Sequence, residues 1–159
     1  MICVRLLFSP NSTLMKPTLE DALILAAEKH RGQHDKAGQP YILHPLRVMQ
    51  NLGAATEHER MAALLHDVVE DCNVSLGDLR ALNYPEEVVA AVDLLTKNDE
   101  GKRDYQKAIE RVAPNPIARR VKIADLTDNL NIKRIANPTA KDFERLEKYR
   151  VAKAYLESL

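Results

Sequence analysis

The segment LLHDVVED, residues 64–71, places one histidine, the aspartate that follows it and two further acidic residues among large aliphatic ones. Its polar members are His66, Asp67, Glu70 and Asp71. On a helix, these four side chains would lie on one side and the aliphatic residues on the other. Imidazole and carboxylate groups can bind a divalent metal ion and can transfer protons. A solvated charged face opposite an apolar stripe is nevertheless common, and from this segment alone the ordinary amphipathic helix is the favoured interpretation.

Two other segments bring further groups of the same chemistry. In PYILHP, His44 lies between a turn and a proline that can begin a helix, although such a histidine can also cap or pack. In VKIADLTDNL, Asp125 is surrounded by apolar residues, and a buried carboxylate needs a partner or a metal ion. A salt bridge to Lys122 or to an arginine is the alternative. Two histidines and two aspartates would form a mixed nitrogen and oxygen site, which suits manganese, iron or zinc.

The elements that must position these groups are predicted to be helices. Capping boxes such as Thr18 with Asp21 and Thr56 with Glu59 mark helix starts, and apolar residues recur at helical spacing after them. The predicted helices are residues 18–31, 45–51, 56–71, a short helix after Ser75, 85–97, 104–112, 115–131 and 139–159. About eight helices with short connections predict a single all-α, bundle-like domain.

Composition limits the classes of function. The 159 residues include 23 Lys plus Arg and 23 Asp plus Glu, so no general attraction to nucleic acid or to an anionic membrane is expected. The apolar run at the start is too short to span a bilayer. We expect residues 1–15 to form a leader or edge segment and residues 16–159 to form the domain. The cysteines, Cys3 and Cys72, fit reduced thiols in a cytoplasmic protein.

Five segments in order resemble the HD-domain phosphohydrolases, and more narrowly the RelA/SpoT-type alarmone hydrolases. They are HRGQHDKAGQPYILHP, LLHDVVED, LLTK, VKIADLTDN and RLEKY, and the resemblance runs from about residue 18 to residue 155. The short chain also resembles the stand-alone small alarmone hydrolases. The resemblance implies an HD-domain helical bundle with a metal ion held by His44, His66, Asp67 and Asp125. Manganese is the ion implied, with Fe²⁺ and Zn²⁺ as alternatives.

The resemblance also implies roles around that ion. Glu70 and Asp71 match the catalytic acidic pair of the family, and Lys36, Asn129 and Tyr149 match positions on the nucleotide side. Their ordinary interpretations are an exposed loop charge for Lys36, a helix-surface amide for Asn129 and a packed aromatic ring for Tyr149. Because the substrate is anionic, Arg31 is a further candidate for contacting it. His30 and His34 match no ligand position, and we assign them to core packing and to the loop.

The activity implied is removal of the 3′-pyrophosphate from guanosine tetra- or pentaphosphate, which gives GDP or GTP and pyrophosphate. Glu70 or Asp71 would relay a proton in that reaction. The family commonly has Arg-Lys-Ser where this chain has Asp35, Lys36 and Ala37. Asp35 therefore lacks the positive charge and the flat stacking surface of an arginine. An adenine alarmone, NADPH or another nucleotide remains an alternative substrate, and the sequence does not indicate the oligomeric state.

Overall fold

Helices account for nearly all of the regular structure in the computed structural model, which describes residues 16–159. The predicted leader or edge segment, residues 1–15, lies outside the described residues. The helices are α1 Leu19–Lys29, α2 Leu43–Asn51, α3 Glu57–Leu65, α4 Val68–Asp71, α5 Leu76–Ala81, α6 Glu86–Leu95, α7 Asp99–Arg103, α8 Tyr105–Val112, α9 Pro116–Asn129 and α10 Ala140–Glu157, with a 3₁₀ turn at Ile132–Arg134. Within these bounds the extended pairing is one isolated bridge, His34 with Pro40. The predicted all-α fold is confirmed.

Helix α3 lies at the centre of the main core. It packs against α1, α2, α6 and α9, and its residues from Met61 to Leu65 are almost fully buried. The capping box of Thr56 and Glu59 fixes where this helix begins, as predicted. Truncating a buried leucine such as Leu64 to alanine would cost about 2–5 kcal/mol. The core therefore holds the end of α3, which leads directly into the HD pair, in a fixed position.

The predicted helix over residues 56–71 is instead two helices separated by a turn at His66 and Asp67. Consecutive residues of a continuous helix point about 100° apart, and the turn changes the relative direction of the two side chains. In the structure His66 Nε2 lies 3.0 Å from Asp67 Oδ2. His66 is buried, with 3% of its surface exposed, and does not lie on a solvated face.

Helix α2 begins two residues earlier than predicted, at Leu43. Pro45 therefore falls in the first turn, where a backbone N–H has no partner within the helix and its loss costs little. This arrangement puts His44 in the first turn of α2, which packs against α9. A further short helix, α7, was not predicted and is capped by Asn98.

Among the described residues, none of the helices combines the length and the apolar character that crossing a bilayer requires.

Candidate active site

The four predicted metal ligands converge. His44 Nε2 lies 3.3 Å from Asp125 Oδ1 and 3.6 Å from Asp67 Oδ2. His66 Nε2 lies 3.0 Å from Asp67 Oδ2 and 4.0 Å from Asp125 Oδ1. Donor atoms about 2.1 Å from one ion stand roughly 3–4.2 Å apart in a tetrahedral or octahedral shell. His44, His66 and Asp125 offer donor atoms within 4.8 Å of one another, a spacing that fits a single divalent cation, and Asp67 Oδ2 lies beside both imidazoles.

Both imidazoles are oriented by hydrogen bonds at their other nitrogen. His44 Nδ1 lies 2.7 Å from Asp128 Oδ2, and His66 Nδ1 lies 2.7 Å from the carbonyl oxygen of Ala63. A carbonyl oxygen only accepts, so His66 Nδ1 carries the proton and Nε2 keeps a free lone pair in the neutral ring. His66 Nε2 is buried and has no hydrogen-bond partner. Such an orphaned nitrogen is expected of a metal ligand whose outer nitrogen is held in place.

The two aspartates have partners of their own. Asp125 Oδ2 accepts from Lys122 Nζ at 2.8 Å, and Asp125 Oδ1 accepts from Asn129 Nδ2 at 2.5 Å. The Tyr41 hydroxyl donates to Asp67 Oδ2 at 2.7 Å. Burial opposes ionisation of Asp125, but Lys122, His44 and His66 together outweigh burial and hold the pKa of its carboxyl well below the usual range. The salt bridge to Lys122 is thus present, and it leaves the other carboxylate oxygen facing the histidines.

The carboxylates create a strongly negative environment for the histidines. Burial lowers the pKa of His44, but its hydrogen bonds to Asp125 and Asp128 outweigh burial and raise the pKa to about 9. Burial also lowers the pKa of His66, and Asp67 raises it above the ordinary value. A pocket that favours a proton on each of two adjacent imidazoles also favours a divalent cation in their place.

Glu70 and Asp71 line the same cleft. Lys97 donates to Glu70 twice, from Nζ at 2.6 Å and from its backbone nitrogen at 3.2 Å. Burial raises the pKa of the Asp71 carboxyl, and the neighbouring Asp67 and Glu70 raise it further. One member of the acidic pair is therefore held by a cation, and the pKa of the other is raised by burial and by its acidic neighbours.

The cleft beside these groups has a volume of about 340 Å³. Its wall includes Lys36 and Arg145, both of which pair with Asp142 Oδ1, at 3.0 and 3.1 Å. Lys36 is 61% exposed. Asn129 and Tyr149 also line the cleft. Cationic side chains on an open wall suit the phosphates of a nucleotide.

The ordinary interpretations of some predicted residues also hold. The Tyr149 ring packs 5.9 Å from the ring of Tyr105, so it is a packed aromatic as well as part of the wall. Arg31 is exposed on the turn after α1 and is not among the cleft-lining residues. Its contact with the substrate stays a prediction. His30 is buried and lies 2.7 Å from Gln33, which agrees with a packing role.

Sequence reasoning missed several residues that the structure brings to the site. Asp128 holds His44, Tyr41 holds Asp67, and Lys97, Arg134 and Arg145 supply positive charge to the cleft. Asp128 could have been found, because it follows Asp125 by three residues on a helix and so shares its side. The arginines carry no such local signal.

The family model for the HD domain matches residues 22–143, and the chain belongs to this family. Within it, MESH1, a guanosine-3′,5′-bis(diphosphate) 3′-pyrophosphohydrolase from Drosophila melanogaster, is 36% identical over 149 residues, which cover 87% of this chain and 83% of that protein. A solved structure of a metazoan ortholog of SpoT has a TM-score of 0.72 and 32% identity. That match covers 91% of this chain and 86% of the other.

Bacterial relatives are similar over a smaller part of their length. The guanosine-3′,5′-bis(diphosphate) 3′-pyrophosphohydrolase of Aquifex aeolicus is 34% identical over 120 residues, which cover 70% of this chain and 17% of that protein. The chain therefore spans about a sixth of the length of this curated relative. The similarity to the Drosophila protein and to the solved structure extends over most of both chains, and it supports the predicted resemblance to stand-alone alarmone hydrolases.

Proposed function

We propose that this chain is a metal-dependent hydrolase that removes the 3′-pyrophosphate from guanosine tetra- or pentaphosphate. The products would be GDP or GTP and pyrophosphate. The observation that carries the proposal is the convergence of His44, His66, Asp67 and Asp125 beside Glu70 and Asp71. The relatives named as 3′-pyrophosphohydrolases, one of them matched over most of its length, support the choice of substrate.

In the proposed reaction, a water oxygen forms a bond to the phosphorus next to the 3′ oxygen, and the bond from that phosphorus to the 3′ oxygen breaks. A divalent ion would lower the pKa of the water and reduce the charge on the phosphoryl oxygens. Glu70, held by Lys97, accepts the proton of the water. Asp71 delivers a proton to the departing 3′ oxygen. The balance is one water consumed and one pyrophosphate released.

The nucleotide would lie along the wall that carries Lys36, Asn129 and Tyr149. Lys36 and Arg145 both pair with Asp142 in the structure, and a phosphate could take the place of that carboxylate. Tyr149 offers a partly exposed ring edge beside them. These contacts follow from the residues that line the cleft, and we propose them as substrate contacts.

The test is to incubate the manganese-loaded protein with guanosine tetraphosphate and to separate the nucleotide and phosphate products. We expect GDP and pyrophosphate in equal amounts from wild type. Asp71→Asn is the matched control, because it should keep the metal and lose most of the turnover. Metal-loaded, folded wild-type protein that releases no pyrophosphate would contradict the proposal.

A second candidate is hydrolysis of a different nucleotide, such as an adenine alarmone or NADPH. It is favoured by Asp35 and Ala37, which stand where the family commonly has an arginine and a serine. The same assay with a panel of these nucleotides separates the two candidates. Release of orthophosphate from NADPH, or faster release of pyrophosphate from the adenine compound, would favour the second.

We propose manganese as the ion and the cytoplasm as the compartment. Two imidazoles and two carboxylates form a donor set that manganese, iron and zinc can all occupy. Titration of metal-free protein with Mn²⁺, Fe²⁺ and Zn²⁺, each followed by the activity assay, ranks the ions. Higher turnover with zinc or iron than with manganese would overturn the choice.

A further inference from the structure

The carboxylate of Asp35 is fully occupied within the protein. Oδ1 accepts from the backbone nitrogens of Ala37 and Gln39, both at 2.9 Å. Oδ2 accepts from Arg134 Nη1 at 3.1 Å and lies 3.6 Å from Arg47 Nη2. The side chain is 11% exposed. Asp35 therefore shapes the loop at residues 33–40, and its charge is matched by two arginines.

The same two arginines hold a second carboxylate, that of Asp128. Arg47 Nε donates to Asp128 Oδ1 at 2.7 Å. Arg134 Nη2 donates at 3.1 Å both to Asp128 Oδ2 and to its backbone carbonyl oxygen. Asp128 is in turn the residue that fixes His44 Nδ1, at 2.7 Å. An unbroken series of ionic contacts thus runs from the loop to a proposed metal ligand.

These four charges alternate in sign and are largely withdrawn from water. A guanidinium presents its N–H groups as a rigid fork, so one arginine can hold two carboxylates in a fixed relation. Removing one member would leave each facing charge with one partner fewer, and a partly buried charge that loses a partner shifts towards water. A change at Asp35 should then reach Asp128 and, through it, the orientation of the His44 ring.

We propose that Asp35, Arg47, Asp128 and Arg134 act as one positioning unit that sets the nucleotide loop and the metal ligand His44 together. The proposal rests on the proposed function insofar as it treats the loop as the nucleotide side of the site. It assigns Asp35 a role other than contact with the base. The positive charge that position 35 lacks is present close by, on Arg134, which itself lines the cleft.

If these four residues act as one unit, a substitution at Asp35 in the loop should change the affinity for Mn²⁺ even when no nucleotide is present. The experiment titrates metal-free protein with Mn²⁺ by calorimetry, for wild type, Asp35→Asn, Arg134→Gln and the double variant. Asparagine keeps the oxygen that accepts from Ala37 and Gln39, so the loop turn is retained. We expect each single substitution to raise the Kd for Mn²⁺ about three- to ten-fold. The double variant should bind Mn²⁺ about as tightly as the weaker-binding single variant, because both substitutions disrupt the same unit.

Two matched controls separate this effect from general damage. Lys36→Gln breaks the ion pair between Lys36 of the same loop and Asp142. Asp93→Asn breaks the pair between Asp93 on α6 and Arg111 on α8, whose atoms lie 3.0 Å apart. Both should leave the Kd for Mn²⁺ unchanged. Thermal unfolding of each metal-free variant verifies that it is folded.

Arg134→Lys keeps the charge but loses the fork, and it should also weaken Mn²⁺ binding. It provides the test if Arg134→Gln does not fold. A Kd for Mn²⁺ within two-fold of wild type, for both Asp35→Asn and the Arg134 variant, would overturn the proposal. It would also be overturned if the two losses of Mn²⁺ binding free energy simply added in the double variant. Because the titration contains no nucleotide, its result stands even if guanosine tetraphosphate proves not to be the substrate.

Discussion

The two sides of the cleft are built differently. On the metal side, His44, His66 and Asp125 come from α2, from the turn after α3 and from α9, and all three are buried. On the nucleotide side, Lys36 comes from a loop and Arg145 from α10, and both pair with a carboxylate of the protein itself. The metal side is set in advance by packed helices. On the proposed nucleotide side, a phosphate that bound Lys36 or Arg145 would replace a contact with Asp142.

This difference has an energetic consequence. Lys36 is exposed, and Asp142 would keep its contacts with Arg145 and Thr139, so Lys36 can leave Asp142 for a phosphate at small cost. Buried charges behave in the opposite way, because removing one partner leaves an uncompensated charge in a poorly solvated site. Substitutions on the metal side should therefore change occupancy of the site, and those on the nucleotide side should change apparent substrate affinity.

The largest effect is expected for His66→Ala. It removes a ligand nitrogen that no rearrangement of the packed α3 can replace, so the protein should lose nearly all bound Mn²⁺ and all turnover. Metal content after gel filtration measures this. The control is His58→Ala, which removes an exposed histidine that pairs with Glu87 at 2.6 Å. Full occupancy in His66→Ala would show that the ion lies elsewhere.

Asp71→Asn should lower kcat by about 10²–10⁴-fold and leave Mn²⁺ bound. The amide keeps the shape of the carboxyl but cannot exchange a proton. Steady-state kinetics and metal content on the same sample separate the two quantities. If the variant also lost Mn²⁺, Asp71 would be a metal ligand. Its assignment to proton transfer alone would then be wrong.

Asp128→Asn should weaken Mn²⁺ binding by about 10–100-fold without abolishing it. The amide can present either an oxygen or a nitrogen to His44 Nδ1, so the ring is no longer held in one tautomer. Calorimetric titration gives the Kd. An unchanged value would indicate that the first turn of α2 alone orients His44.

The metal side was also the more predictable side. His44, His66, Asp67 and Asp125 could be proposed because each stands in a short segment with a recognisable pattern. The turn at His66 and Asp67 could not, because residues 56–71 satisfy the helical periodicity and the capping box without interruption. The break depends on packing between α3 and its neighbours, which no local pattern encodes.

The nucleotide side was harder for a physical reason. Its charged residues are far apart in sequence, as with Asp35 and Arg134, and their pairing appears only after the helices have packed. Arg31 was proposed because an anionic substrate needs positive groups. It lies on the turn after α1 and is not among the residues that line the cleft, so its contact with the substrate stays a prediction.

We expect the smallest effect for Lys36→Gln. This variant also tests most directly whether the metal side and the nucleotide side of the cleft have separate roles. It removes a cation that a phosphate would contact but leaves the metal side untouched. The KM for guanosine tetraphosphate should rise about five- to ten-fold, with kcat and the Kd for Mn²⁺ close to wild type. Lys133→Gln, an exposed lysine outside the cleft wall, is the matched control. If Lys36→Gln lowered kcat at unchanged KM, Lys36 would act in the transition state. The assignment of Lys36 to substrate binding alone would then be wrong.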